Sequence, residues 1–232
     1  MPYRPCAFAL LVLVALAGCD QIPDERSEQA QEDVAMIDER AVWRDSGVFE
    51  LCRSEDEALS LDGCMVDVLH RAKAPDEVIE AVETLSAEGD AGFVSGFRRE
   101  GLIGVAQVTY PFRPNTNQGT LLVASDGTTI DVDRAILSEE DQHRADYSAF
   151  LAAHPGVMPF PPASLTRSER LNGGGEQLRF DTALRGCHAC EIDGWLSVAY
   201  DFDAAGRFLG HQLVEVKWSE NAAATPSVDV SR

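Results

Sequence analysis

The hydrophobic positions of this 232-residue chain change their spacing from one end to the other. After an apolar run from Ala7 to Ala17, few large apolar residues occur until Ile37. From Val42-Trp43 to Leu69 apolar side chains are interrupted by turns, and helices are expected. The segment Pro75 to Leu85 is the clearest helix, because Pro75 suits a first helical position, Asp76 and Glu77 sit at the positive end of the dipole, and Val78, Ile79, Val82 and Leu85 share one face. Gly89 ends it. Phe93, Val94 and Phe97 repeat a helical spacing and predict a further short helix from Asp90 to Gly101, with Gly92 and Gly96 against it.

Alternation then replaces the helical repeat. Ile103 to Tyr110 predicts a strand, and Leu121 to Ser125, Asp126-Gly127 and Thr128 to Val132 predict a hairpin. Ser138, followed by three acids, starts a helix that carries Tyr147, Phe150 and Leu151 and ends before Pro155. Pro155 to Gly175 contains Pro159, Pro161-Pro162 and three consecutive glycines, and reads as a long surface connection. Leu178 to Leu184, Leu196 to Phe202 and Phe208 to Trp218 alternate as an antiparallel meander. Helices first and strands later predict an α+β fold, a helical N-terminal half packed on a mostly antiparallel sheet.

The first apolar run is too short to span a bilayer, and with Arg4 before it and small residues after it, it has the form of a secretory leader. Leu16-Ala17-Gly18-Cys19 resembles the lipobox of bacterial lipoproteins. That resemblance implies a diacylglyceryl group on Cys19 and cleavage before it. Asp20, next to Cys19, resembles the inner-membrane retention signal of such proteins, which implies an anchor facing the periplasm. The expected organisation is a leader (1–18), an acidic tether (19–41), a single α+β domain (42–218) and a flexible tail (219–232).

Charge narrows the partners. The chain holds 19 basic against 39 acidic residues, a formal net charge of −20, and loss of the leader's one arginine would leave −21. Nucleic acid is excluded as a partner, and attachment to an anionic membrane would come from the N-terminal lipid, not from the body of the domain. An envelope protein or a small molecule is the expected partner.

Six cysteines remain to be placed. Cys6 lies in the leader and Cys19 in the lipobox, which leaves Cys52, Cys64, Cys187 and Cys190, an even number in an exported chain. Three pairings are open; the two local ones, Cys52 with Cys64 and Cys187 with Cys190, require no long-range contact. Loop closure gives about 3 kcal/mol for the first and about 2 kcal/mol for the second.

The Cys187-His188-Ala189-Cys190 spacing resembles that of thioredoxin-like oxidoreductases, so a thiol-disulfide redox protein is the alternative function. Such enzymes place the attacking thiol at a helix N-terminus. Here only Glu191-Ile192-Asp193 precede Gly194 and the next strand, and two acids would raise a thiol pKa, which favours a structural disulfide. His211 with Cys187, His188 and Cys190 forms a poor zinc set, and no metal or other cofactor is expected. Asp201 to Gly206 begins like a calcium loop, but Ala205 and Gln212 stand where oxygen ligands belong.

The loop Pro111 to Gly119 is the other candidate. It sets Phe112, Arg113, Asn115 and Asn117 together, a combination suited to an anionic or sugar-like ligand; the plainer reading is that Pro and Asn shape a wide connection between strands while Arg113 pairs with a nearby acid. His70, His143, His154, His188 and His211 are scattered, and Ser164 and Ser168 lack a nucleophile-elbow context, so no enzyme signature is present. Tyr110 to Asn115, Gly186 to Cys190 and Tyr200 to Asp203 together resemble uncharacterised exported bacterial proteins, which implies no activity. The expectation is therefore a lipid-anchored envelope protein with a non-catalytic binding or structural domain.

Overall fold

A computed structural model describes residues 37–53, 60–87, 89–134 and 136–219. The expected leader, the lipidation site Cys19, the tether before residue 37 and the tail from residue 220 lie outside the described residues.

Two short 3-10 helices, Glu39–Ala41 and Ser46–Arg53, precede α1 (Leu61–Ala72) and α2 (Asp76–Ala87). Ser60 caps α1 by accepting from the Gly63 N–H, and Lys73 closes it in the left-handed region at φ 58°. Pro75 precedes α2, as its fixed φ favours, and Gly89 turns the chain out at φ 122°. Val78, Ile79, Val82 and Leu85 are all buried, so the periodicity read from the sequence is the packing face.

Among the described residues eight antiparallel strands follow: β1 (Phe93–Glu100), β2 (Ile103–Thr109), β3 (Gln118–Val123), β4 (Thr129–Asp131), β5 (Met158–Arg170), β6 (Glu176–Arg185), β7 (Gly194–Phe202) and β8 (Phe208–Trp218). Helices with antiparallel strands make the fold α+β. The strands do not form one sheet, however. β1 to β4 form a first sheet and β5 to β8 a second, each in chain order.

The first sheet is covered on both faces. Val94, Ala106, Val108, Leu121 and Val123 point to α2, where Ala81 and Leu85 meet them with Ile37 and Ala41. Ile103, Val105, Leu122 and Val132 point the other way, against Leu178, Phe180, Val198, Tyr200 and Phe202 of the second sheet. Burial on both sides explains why β2 and β3 read as nearly continuous apolar runs.

Three segments differ from expectation. Residues 90–101 do not form a helix; Phe93 to Glu100 is β1, and the pairing slips between Val94 and Gly96. The extra residue between them puts Val94 and Phe97, three apart, on the same face toward Ala81 and Leu85, so a bulged strand imitates helical spacing. Gly92 serves packing there, since a Cβ on it would lie 2.7 Å from the Tyr110 ring.

The stretch 155–175 is likewise not a surface connection, because β5 occupies its centre. Its prolines are tolerated since β5 is an edge strand, and the pairing with β6 shifts between Phe160 and Ser164 around the cis Pro161-Pro162 bond.

The helix begun at Ser138 is two pieces, α3 (Glu139–Gln142) and α4 (Ala145–Ala153). The break lets Asp141 and Arg144 reach the same residue of β8: the Asp141 carboxylate accepts from the Leu213 N–H at 3.0 Å, and Arg144 donates to the Leu213 carbonyl. Both backbone groups of an edge-strand residue are thereby satisfied by side chains.

Candidate functional site

The loop between β2 and β3 closes on itself through the Tyr110 N–H, which donates to the Asn117 carbonyl at 2.6 Å. This turn sends its four candidate residues in different directions. Phe112 packs, as Val48 does, on the cluster of Cys52, Cys64 and Val68, with the Arg53 guanidinium 5.8 Å from its ring centre. It belongs to the helical layer and is not in the pocket.

Arg113 and Asn115 do line a cavity, of about 280 Å³, with Asp90, Tyr110, Thr116, Asp131 and Arg134 among its walls. The Arg113 guanidinium lies 3.5 Å over the Tyr110 ring, a cation–π contact that covers the aromatic face. Its Nη2 donates to Asp90 Oδ2 at 2.6 Å, and Arg134 Nη2 donates to the same oxygen at 2.7 Å. Asp90 thus joins two guanidinium groups contributed by separate loops. Each pair is partly exposed and screened, so the cluster fixes geometry more than it adds stability.

Asn117 faces a second basin of about 390 Å³ with Thr109, Thr116, Gln118, Pro162 and His188. Thr116 borders both basins and has φ 55°, the left-handed region that a β-branched residue seldom occupies.

Behind the first cavity sits Asp133. Its Oδ1 accepts from the Ala163 N–H of β5 at 2.6 Å and its Oδ2 from the Thr120 N–H of β3 at 2.8 Å, so one carboxylate clasps the two sheets. Burial pushes its pKa up to about 6, against the pull of those two N–H groups and with the Asp131 charge adding to the rise. Burial also raises the Tyr110 phenol to about 12, again helped by Asp131.

Asp90, Tyr110, Asp131, Asp133 and Arg134 were not singled out in the sequence. Asp131 to Arg134 is a charged cluster at the end of a hairpin strand, and that was the available signal. Nothing local marks Asp90, which the fold brings to Arg113 across 23 residues.

The remaining cysteines are joined locally. Cys52 and Cys64 lie at an S–S distance of 2.03 Å and tie the second 3-10 helix to α1. Cys187 and Cys190, at 2.11 Å, span the exposed turn between β6 and β7. β7 begins at Gly194, so neither sulfur stands at a helix N-terminus. His188 meets the Phe160 ring edge-on at 5.9 Å. His211 stacks on Tyr200 instead, six residues along β7 from Gly194 and therefore roughly 20 Å from the cysteine turn. Among the described residues no group of three or more His, Cys, Asp or Glu side chains is placed to hold a metal ion. At Asp203, Oδ1 accepts from the N–H groups of Ala205 and Arg207, the bonding of a hairpin turn.

No family model, curated protein or solved structure matches this chain, so the functional reading rests on the site itself.

Proposed function

We propose that this chain is a lipid-anchored protein of the bacterial envelope, attached through Cys19 and facing the periplasm, with the inner membrane as its expected seat. Its folded domain binds an envelope protein or a small molecule without converting it. The N-terminal helices and the sheet beneath them act as the scaffold. The observation that carries the binding reading is the convergence of Arg113 and Asn115 on one polar cavity with Asp90 and Arg134, from three separate connections flanking strands of the first sheet. The redox alternative has less support, since a strand and no helix follows Cys190.

The test is a photo-crosslinking amino acid placed at Asn115 in growing cells, with Ser168, exposed on β5, as the control position. A light-dependent adduct at position 115 and none at 168 is the expected result. Absence of any adduct at 115, or equal labelling at both, overturns the binding reading. Labelled palmitate entering wild type and not Cys19→Ser checks the anchor separately.

A further inference from the structure

We propose that the two basins on either side of Thr116 form one cleft for a neutral oligosaccharide. This deepens the binding reading above and rests on it.

The first argument is charge. The first basin opposes Arg113 and Arg134 to Asp90, Asp131 and Asp133, and its guanidinium groups are already engaged by Asp90. Among the described residues the second basin holds no Asp, Glu, Lys or Arg, in a chain whose formal net charge is −20. A polyanion is repelled by such a field, and a cation meets carboxylates already engaged, Asp90 by two guanidinium groups and Asp133 by two N–H groups. The ligand that fits is uncharged.

The second argument is the kind of polar group. A sugar hydroxyl is donor and acceptor at one atom, and its complement is a side chain that both donates and accepts within a short span. Asn115, Thr116, Asn117, Gln118 and Thr109 have that character, and the Arg113–Asp90 pair supplies the same combination with two residues. Pro162 and His188 add two ring faces at the edge of the second basin, where the C–H side of a sugar ring can lie.

The third argument concerns what is lacking for other ligands. Apart from Gly119 and the proline rings, the described residues that wall these two basins include no aliphatic side chain, and Arg113 covers Tyr110, so they offer no apolar floor for an acyl chain or a large hydrophobic side chain. Nor does β3 offer a free edge at Thr120 to an extended peptide. The Thr120 N–H donates to Asp133, and the Thr120 carbonyl accepts from the Val132 N–H at 3.1 Å. A peptide is therefore the disfavoured class.

The experiment is a two-dimensional amide NMR titration of the purified full chain with four probes: chitotetraose, cellotetraose, tetragalacturonate and tetra-alanine. Saturable shifts at Thr116, Gln118 and Gly119 with either neutral saccharide are expected. Shifts there with only tetragalacturonate or only tetra-alanine overturn the saccharide class while leaving a binding site in place. No shift with any probe overturns the saccharide proposal, and the crosslinking at Asn115 then decides the broader reading.

The variant Asn115→Ala/Asn117→Ala removes two exposed side chains, and its affinity should fall about tenfold or more while amides elsewhere keep their positions. His188→Ala, on a different element, should weaken binding on its own. Undiminished affinity in both variants overturns the placement of the cleft.

Discussion

Asp133 sets a measurable dependence of stability on pH. Its carboxyl titrates at about 6 in the folded protein against an ordinary 3.8. At roughly 1.4 kcal/mol per pH unit, that gap makes the ionised form cost about 3 kcal/mol relative to the unfolded chain. The sign follows from proton counts. Between pH 4 and 6 the folded state holds a proton that the unfolded state has lost, so the contribution is fully present below about 4, declines as pH rises through 6 and is flat above. Other carboxylates run the opposite way: the Thr128 N–H holds Asp126 low, and the Arg207 N–H holds Asp203 low. A wild-type curve alone mixes these effects, and Asp133→Asn separates them. The amide does not titrate and loses one of the two acceptors, which shifts its curve by a constant. Denaturant unfolding of both proteins at several pH values from 4 to 7.5 should give a stability difference that moves by about 3 kcal/mol across that range, wild type gaining on the variant toward acid, or about 6–12 °C in melting temperature. A difference that stays level over that range refutes the argument that burial dominates at this carboxylate.

Three other outcomes follow from the packing. Replacing Cys52 and Cys64 by Ser should cost about 3 kcal/mol by denaturant titration, and peptide mapping without reductant should find the two joined. Replacing Cys187 and Cys190 should cost less, about 1–2 kcal/mol, and the wild-type protein should exchange disulfides with a model substrate no faster than a free dithiol; faster exchange with a thiol titrating near neutrality would revive the redox alternative. Gly194→Ala should lower the melting temperature by several degrees, because its Cβ would stand 2.4 Å from the Lys217 carbonyl oxygen and 2.6 Å from the Phe150 ring, and neither backbone nor buried ring yields easily.

Periodicity was legible wherever one physical demand acted on a segment. α2 has a single buried face, and alternate large apolar residues of β6 and β7, Leu178 and Phe180, then Leu196, Val198, Tyr200 and Phe202, share one core, so both were readable. It misled where two demands overlapped. The bulge in β1 satisfies strand pairing while bringing Val94 and Phe97, three residues apart, to one side, and no local pattern distinguishes that from a helix. β5 keeps its pairing despite three prolines, because an edge strand needs donors on only one side. The division into two sheets was within reach, since the near-continuous apolar runs of β2 and β3 are what a sheet covered on both faces requires.

The site was half legible for a related reason. A loop rich in Pro and Asn announces itself locally, and two of its four candidates, Arg113 and Asn115, stand in the first basin with Asn117 in the second. What completes the site is chain that is remote in sequence: Asp90 after α2, Asp131 to Arg134 at the end of β4, Pro161-Pro162 on β5 and His188 beside a disulfide. Those residues share no motif, because their proximity is a property of the fold. β3 lies against β5 through one buried carboxylate, and the loops at that end of both sheets are held together by the same contact. Asp133 therefore couples the stability of the domain to the shape of the cleft, and the pH at which the clasp changes protonation is also the pH at which binding should be examined.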